Sequence, residues 1–288
     1  MQAILFALFS YIGWGVGDIF GTVAARRMPA LSLTFWVMVF GFVLFSLYIP
    51  FAVSDLQRLT FPIFVLIMVL GVLFTIGELA FNQALRVSNA SVAETIGSSF
   101  PAITVVLSLF FLGERVSTAQ LAAILTILVG VVLSTLNFAD LRTRGLWHDK
   151  GVVYALFCML CWGVYFALIK IPIQQIGWFW PTYLGFALFP LMYLFVKWRG
   201  VQLQNPNDNS ALIPILFSVA LLRSGDLAFN YAISKGLTAV VAPIAGSYAT
   251  LFVLLSFMIF KDPIKRSQIV GIVVTLLGIV TLSIVSRQ

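Results

Sequence analysis

Residues 77–84 read Gly-Glu-Leu-Ala-Phe-Asn-Gln-Ala, and residues 225–232, 148 positions later, read Gly-Asp-Leu-Ala-Phe-Asn-Tyr-Ala. The two segments are identical at six of eight positions. The same shift aligns residues 7–16 with residues 155–164, where six of ten positions are identical and both segments end in Trp-Gly-Val. An internal repeat of this length predicts a molecule built from two structurally equivalent halves.

The composition is typical of a membrane protein. Hydrophobic residues make up 61% of the 288 residues, charged residues make up 9%, and the mean hydropathy is +1.07. A soluble domain carries about 25% charged residues. The net charge of +7 does not indicate a nucleic-acid partner, because the basic residues lie singly or in pairs at the ends of apolar stretches. We therefore predict a multi-pass integral protein of the inner or plasma membrane.

Ten apolar stretches are long enough to cross a bilayer as helices, which takes about 20 residues each. They are Ala3–Ala25, Leu31–Val53, Pro62–Arg86, Ala90–Leu112, Thr118–Phe138, Lys150–Ile171, Trp180–Trp198, Ala211–Ser234, Thr238–Phe260 and Ser267–Val285. The first stretch has no basic start and aligns with the sixth, so we expect it to be retained as a span and not cleaved as a signal peptide.

Five spans in each half predict the architecture. An odd number of spans inverts the second half, so the halves are related by a pseudo-two-fold axis in the membrane plane. We predict an all-α, polytopic fold with a first five-helix repeat at 1–138, an inter-repeat loop at 139–149 and a second five-helix repeat at 150–288. Lys and Arg are fewer on the side of the termini than on the other side, which favours both termini outside the cytoplasm.

Ionisable side chains inside apolar spans are costly and are candidates for function by default. This chain has five of them: Asp18, Glu78, Glu94, Arg223 and Asp226. Low dielectric disfavours the charged form of a carboxylate, so these acids are candidates for proton coupling. The sequence leaves open whether they carry protons or only bind a ligand.

Glu78 and Asp226 are repeat equivalents, and each is followed four residues later by an asparagine, Asn82 or Asn230. That spacing places the acid and the amide on one face of a helix. We expect the inverted repeat to place the two clusters toward opposite membrane surfaces. Arg223 precedes Asp226 by three residues, so it either forms a local ion pair or meets an anionic substrate.

Asp18 and Glu94 each have two interpretations. Asp18 lies beside glycines 13, 17 and 21, which share one helix face and allow close helix approach. It is either an interhelical hydrogen-bonding residue or part of an internal cavity. Glu94 precedes a stretch with Ser98 and a proline, and the matching stretch of span nine contains Ser247 and Tyr248. These stretches either line a cavity or pack closely through small residues.

Most aromatic residues are expected in the core or at the membrane interface. Trp14 and Trp162 are repeat equivalents near mid-span, and Tyr165 follows closely, so these three are candidates for a binding site. Cys158 and Cys161 form a CxxC motif inside an apolar helix, where we expect packing and not metal or redox chemistry.

Three functions other than transport fit the sequence less well. The sequence Gly-Val-Gly-Asp at 15–18 fits the GxGD motif of intramembrane aspartyl proteases, but no Tyr-Asp pair occurs anywhere in the chain. A passive scaffold would not need duplicated buried acids, and a channel fits inverted halves less well than alternating access does. No hydrolase, zinc-protease or phosphate-loop motif occurs, so we predict no enzyme, no metal and no cofactor.

The residues Leu112-Gly113-Glu114-Arg115-Val116, followed by Gln120 and Gly130, resemble the turn between spans four and five of the EamA-like branch of the drug/metabolite transporter superfamily. The second half has Lys261-Asp262-Pro263-Ile264, then Gln268 and Gly278. The resemblance implies secondary transport of small metabolites, often as export, with a cavity lined by spans one, three, four, six, eight and nine. Glu114 itself is expected to cap a helix and brace the loop.

We therefore predict a secondary active transporter, an exporter of small polar or amphipathic metabolites, which works by alternating access. A carrier or flippase for lipid-linked or sugar-type substrates is the alternative, and an aspartyl protease is a remote one. The expected partners are a small-molecule metabolite, protons and membrane lipid, with the chain a monomer or a homodimer. The predicted substrate-binding residues are Trp14, Asp18, Glu78, Asn82, Glu94, Ser98, Trp162, Tyr165, Arg223, Asp226, Asn230, Ser247 and Tyr248.

Overall fold

The computed structural model describes residues 1–87, 90–135, 150–208, 210–261 and 264–286. The predicted inter-repeat loop at 139–149 lies outside the described residues, as do Asp262 and Pro263 of the second turn. The described residues contain helices and no strand, which confirms the predicted all-α class.

Fifteen helices and one 3-10 turn, Val53–Arg58, occur in the described part of the chain. The helices are α1 Gln2–Arg27, α2 Ala30–Ser46, α3 Ile49–Ala52, α4 Phe61–Val87, α5 Ala90–Gly97, α6 Phe100–Phe111, α7 Thr118–Thr135, α8 Lys150–Leu168, α9 Lys170–Ile176, α10 Trp180–Phe186, α11 Phe189–Trp198, α12 Leu212–Lys235, α13 Thr238–Gly246, α14 Tyr248–Phe260 and α15 Arg266–Val285.

Eight helices in the described residues are long and apolar enough to cross a membrane, some of them continuing through a short break. A ninth is obtained if α2 and the segment Ile49–Arg58, bent by 65° from each other, count as one span. The remaining predicted span, Trp180–Trp198, consists of the short helices α10 and α11 in tandem. A proline in the first turn of α11 explains the break, because proline cannot donate the hydrogen bond that would continue α10.

Equivalent helices of the two halves pack on each other in equivalent ways. The first helix of each half, α1 or α8, lies along the helix of the other half that contains the repeated acid, α12 or α4. Glycine makes both approaches close. A Cβ on Gly13 would lie 2.9 Å from the Leu221 carbonyl oxygen, and one on Gly77 would lie 2.9 Å from the Cys161 Cβ. The last helices of the halves, α7 and α15, also pair, with Gly278 against Ile127.

The two turns that carry the family resemblance also match in conformation. Gly113 has φ +64°, in the left-handed region that glycine adopts without steric cost. Lys261, its repeat equivalent, takes the same conformation with φ +58° although it has a side chain. After each turn a glutamine caps the next helix: Gln120 Oε1 accepts from Ser117 N, and Gln268 Oε1 accepts from Lys265 N.

One membrane surface holds both ends of the described chain, and we call it the terminal face. There Gln120 donates a hydrogen bond to Ser286 near the end of α15, and Gly236 lies against Ala3 of α1. We call the other surface the opposite face. On it, Arg27 at the end of α1 donates to the Ser210 carbonyl, and Trp36 of α2 donates to the Gln204 carbonyl.

Glu114 closes the terminal face by joining the two halves. Its carboxylate accepts from Lys170 Nζ at 2.6 Å, from Thr238 N at 2.9 Å and from Ala239 N at 2.8 Å. It therefore caps the N-terminus of α13 and neutralises a lysine that is 9% exposed. Lys170 also donates to the Gly236 carbonyl at 2.8 Å. Glu114 thus caps a helix, as predicted, but the helix is α13 of the other half and not one beside its own turn.

We predict that Glu114→Gln destabilises the protein by about 2 kcal/mol or more, because Lys170 loses the one carboxylate partner that it has among the described residues, in a mostly buried site. The measurement is the midpoint of thermal unfolding of the detergent-purified protein. Arg115→Gln changes the charge of the neighbouring, exposed residue and is the matched control. Equal midpoints for the two variants would show that the Glu114 interactions contribute nothing to stability.

Candidate functional site

A cavity lies between the two halves, with about 650 Å³ of unfilled space when its open mouth is included. Spans one, three, four, six, eight and nine all contribute lining residues, as the resemblance implied, and span two contributes Leu33 and Val37 in addition. The polar and charged lining residues are Asp18, Glu78, Asn82, Ser218, Arg223 and Asp226.

The cavity extends from mid-membrane toward the opposite face. Its outer lining residues Gly21, Leu33, Leu85 and Ser218 lie in the parts of α1, α2, α4 and α12 that approach that surface. Toward the terminal face, Asn230 of α12 donates to Thr182 Oγ1 at 2.6 Å and to the Trp178 carbonyl at 3.0 Å. These contacts and the Glu114 interactions close the protein below the cavity.

Arg223 bridges the two halves at the centre of this site. Its Nη1 lies 2.7 Å from Asp226 Oδ2, and its Nη2 lies 2.8 Å from Glu78 Oε1. The side chain is 3% exposed, and its guanidinium carbon lies 5.5 Å from the ring centre of Phe74 and 5.0 Å from that of Phe186. The local ion pair with Asp226 is the one predicted from the three-residue spacing.

The expectation that Glu78 and Asp226 lie in separate clusters toward opposite surfaces is wrong, because both bind the same guanidinium. The reason is their depth in the membrane. A residue near the middle of its span lies close to the pseudo-two-fold axis, so its repeat equivalent lies just across that axis. The inverted repeat therefore brings the two acids together.

The two repeated tryptophans are equivalent in position but differ in bonding. Trp14 lies against Gly225, and Trp162 lies against Gly77, the equivalent glycine. Trp14 Nε1 donates to Asp226 Oδ1 at 2.9 Å. Trp162 Nε1 is buried and has no hydrogen-bond partner among the described residues. The hydrogen bond between Trp14 and Asp226 is therefore formed, while the equivalent bond between Trp162 and Glu78 is not.

The asparagines show that symmetry is retained in the supporting contacts. Asn82 donates to Thr34 Oγ1 at 3.1 Å, and Asn230 donates to Thr182 Oγ1 at 2.6 Å. Thr34 and Thr182 are themselves separated by 148 residues, so the two bonds are repeat equivalents. Each fixes the acid-bearing helix of its half against the second span of the same half.

Asp18 and Glu94 differ in their access to the cavity. Asp18 lines it, is partly exposed, and makes no hydrogen bond or ion pair within the described residues. Glu94 lies behind the cavity wall, is 1% exposed, and has no well-formed hydrogen bond to either carboxyl oxygen in the described part of the chain. The hydroxyl of Tyr248, which lines the cavity, is within interaction range of the Glu94 carboxyl.

Eight of the thirteen predicted site residues line the cavity, and five do not. The five are Glu94, Ser98, Tyr165, Asn230 and Ser247. The hydroxyls of Ser98 and Ser247 bond to carbonyls three residues earlier, at breaks in their spans, so they satisfy the backbone there. Tyr165 and Asn230 both approach Thr182 on the terminal-face side of the cavity.

Sequence reasoning missed most of the aromatic lining. Phe74, Phe81, Phe100 and Phe166 line the cavity beside the predicted Trp14, Trp162 and Tyr248. A usable signal existed in α4, where Phe74 and Phe81 are four residues before and three after Glu78 and so share its helix face.

Comparisons with known proteins agree with this architecture. The model of the EamA-like transporter family matches residues 1–136 and again residues 149–284. An uncharacterized protein of Methanocaldococcus jannaschii is 30% identical over 141 residues, which are 47% of this chain and 97% of that protein. A solved crystal structure of a protein with 18% identity superposes with a TM-score of 0.80 and covers 99% of this chain and 97% of its own chain, which shows a shared fold.

The family matches cover both halves of the chain, and the predicted resemblance is confirmed. The protein is a multi-pass integral membrane protein, and it belongs to the EamA-like transporter family.

Proposed function

We propose that the protein is a secondary transporter that moves a small metabolite across the membrane by alternating access. The observation that carries the proposal is a cavity between two inverted halves that extends toward one membrane surface and is closed toward the other. Inverted-repeat transporters bind substrate at such an interface.

The direction we propose is export. The opposite face carries more Lys and Arg than the terminal face, and such a bias favours the cytoplasmic side. A cavity that extends toward the opposite face would then receive its substrate from the cytoplasm. Release would require the terminal face to open, which means separating Glu114 from Lys170 and from the N-terminus of α13.

The tryptophan pair supplies a physical basis for two states. In this state Trp14 donates to Asp226, and Trp162 Nε1 has no hydrogen-bond partner among the described residues, although Glu78 is the repeat equivalent of Asp226. In the state open to the terminal face, we propose that the pairing is exchanged, with Trp162 donating to Glu78 and Trp14 released. The two states would then have similar energies, as a carrier requires.

An aspartyl protease receives no support from this arrangement. Such enzymes need two carboxylates that share a proton. Here Asp226, the other aspartate of the cavity, is bound by Arg223 and Trp14.

Transport itself can be tested without knowing the substrate. Proteoliposomes loaded with pooled amino acids, sugars, nucleotides and polyamines are diluted, and mass spectrometry follows each compound outside. We expect at least one class to leave faster than from protein-free liposomes. Leu85→Trp, which fills the cavity wall, should abolish the difference. Leu277→Trp, on a residue 60% exposed to lipid, should not. No efflux of any class, or equal efflux with Leu85→Trp, would contradict transport through this cavity.

We predict that Glu78→Gln and Asp226→Asn each impair transport while the protein still folds, because Arg223 keeps one carboxylate. The double variant leaves a buried guanidinium unpaired, which costs about 3–5 kcal/mol. Thermal unfolding of the two single variants and the double variant forms a double-mutant cycle. A double variant whose loss equals the sum of the single losses would show that the two acids do not share Arg223.

The exchange of tryptophan partners predicts opposite effects for two matched variants. In a protein with Cys158→Ser, Cys161→Ser and Thr182→Cys, the new thiol is reached only when the terminal face opens. Trp14→Phe should raise its labelling rate by roughly tenfold, since a hydrogen bond to a charged group contributes about 1.5–3 kcal/mol. Trp162→Phe should lower the rate. Changes in the same direction for both variants would rule out the exchange.

A further inference from the structure

The charge balance of the cavity points to the class of molecule that it binds. We propose that the substrate is an organic cation, an amine that carries an aromatic or apolar group and has no carboxylate. This inference rests on the proposed role of the cavity as the transport site and specifies what that site accepts.

The first argument is that acidic groups outnumber basic groups in the cavity lining. Three carboxylates line the cavity, those of Asp18, Glu78 and Asp226, while Arg223 is the single basic residue among the described lining residues. Both terminal nitrogens of Arg223 are already bound to carboxylates. The guanidinium of Arg223 is therefore already paired with carboxylates of the protein, and the cavity retains hydrogen-bond acceptors that have no positive charge beside them.

Two of these acceptors face the cavity without a protein donor. The carboxylate of Asp18 makes no hydrogen bond within the described residues. Glu78 is 8% exposed, and only its Oε1 accepts a hydrogen bond from the described residues, which leaves Oε2 free. An ammonium group supplies three donors and a positive charge, which matches two carboxylate acceptors in a water-poor site.

The second argument comes from the walls, which are independent of the acids. Seven aromatic residues line the cavity: Trp14, Phe74, Phe81, Phe100, Trp162, Phe166 and Tyr248. Aromatic faces attract cations, and the interaction strengthens where the cation is desolvated. The same rings bury the apolar part of a ligand. Walls of this kind, together with the acids of the same cavity, suit a molecule with one charged end and one apolar body.

A carboxylate on the substrate would be disfavoured here by charge. It would meet three acids, and the guanidinium that could bind it is already paired at both ends. A site discriminates against a competitor through such unpaired like charges. We therefore expect an amine to bind better than the amino acid with the same side chain, whereas the alternative in which Arg223 meets an anionic substrate predicts the reverse.

The test uses three ligands that share one ring system and differ in charge: tryptamine, tryptophan and tryptophol. Their affinities for the detergent-purified full chain are measured by isothermal titration calorimetry at pH 7.5. We expect tryptamine to bind at least about tenfold more tightly than either of the others. Tyramine and tyrosine repeat the comparison with a smaller ring. Tighter binding of tryptophan or tryptophol than of tryptamine would overturn the proposal.

Variants separate the acids from the general apolar walls. Asp18→Asn removes the unpaired carboxylate and should weaken tryptamine binding by about tenfold. Glu78→Gln is a second variant for the case in which Asp18→Asn fails to fold. Asp55→Asn, an acid-to-amide change on the terminal face outside the cavity, is the control and should leave binding unchanged. Tryptamine binding that is insensitive to both cavity variants would overturn the assignment.

The efflux experiment distinguishes this proposal from the transport function. If none of the three ring ligands binds, the cation proposal is overturned. Efflux of another compound class through the Leu85-sensitive route would still support the transport function. Efflux of tryptamine or tyramine through that route supports both.

Discussion

A guanidinium buried in a membrane protein must have its charge compensated nearby, and Arg223 obtains that compensation from both halves. Glu78 comes from the first half, and Asp226 comes from the same helix as Arg223. Asp226 in turn accepts the indole hydrogen of Trp14 on α1. Helices α1, α4 and α12 are thereby held around one point, because separating any of them exposes an uncompensated charge to a medium of low dielectric. The cavity is the space that remains beside this point.

The repeat of 148 residues made much of the fold predictable, because it identified equivalent residues before any contact was known. The symmetric bonds of Asn82 with Thr34 and of Asn230 with Thr182 are direct expressions of it. A shift in sequence states which residues are equivalent but not how far they lie from the symmetry axis. For that reason it did not predict that Glu78 and Asp226 share one partner.

The aromatic walls of the cavity were not predictable for a different reason. Aromatic residues make up 15% of the chain, and they are equally stable against lipid, in the core or around a ligand. Whether an aromatic side chain faces lipid, the core or the cavity depends on the rotation of its helix about the helix axis. Packing against the other half sets that rotation. Asp18 illustrates the same point, since either of its two interpretations fitted the glycine pattern around it until the structure placed it at the cavity.

The chemistry of the site lies where the halves differ. Asp18 corresponds by the repeat to Phe166, Glu94 to Ala242 and Arg223 to Thr75. The backbone, the supporting hydrogen bonds and the acid pair Glu78 and Asp226 are duplicated, while the charges of Asp18, Glu94 and Arg223 are not. This explains how a symmetric scaffold encloses a cavity whose acids and rings are unequally distributed.

The pairing of helices across the halves also governs the order in which the protein can be made. The first half is synthesised before the second, yet α1 packs along α12, and Glu78 finds its cation only at Arg223, 145 residues later. Until that helix is inserted, the acids of the first half stand in the bilayer without their partner. The nascent first half is therefore an intermediate that depends on lipid, water or insertion factors for its polar groups.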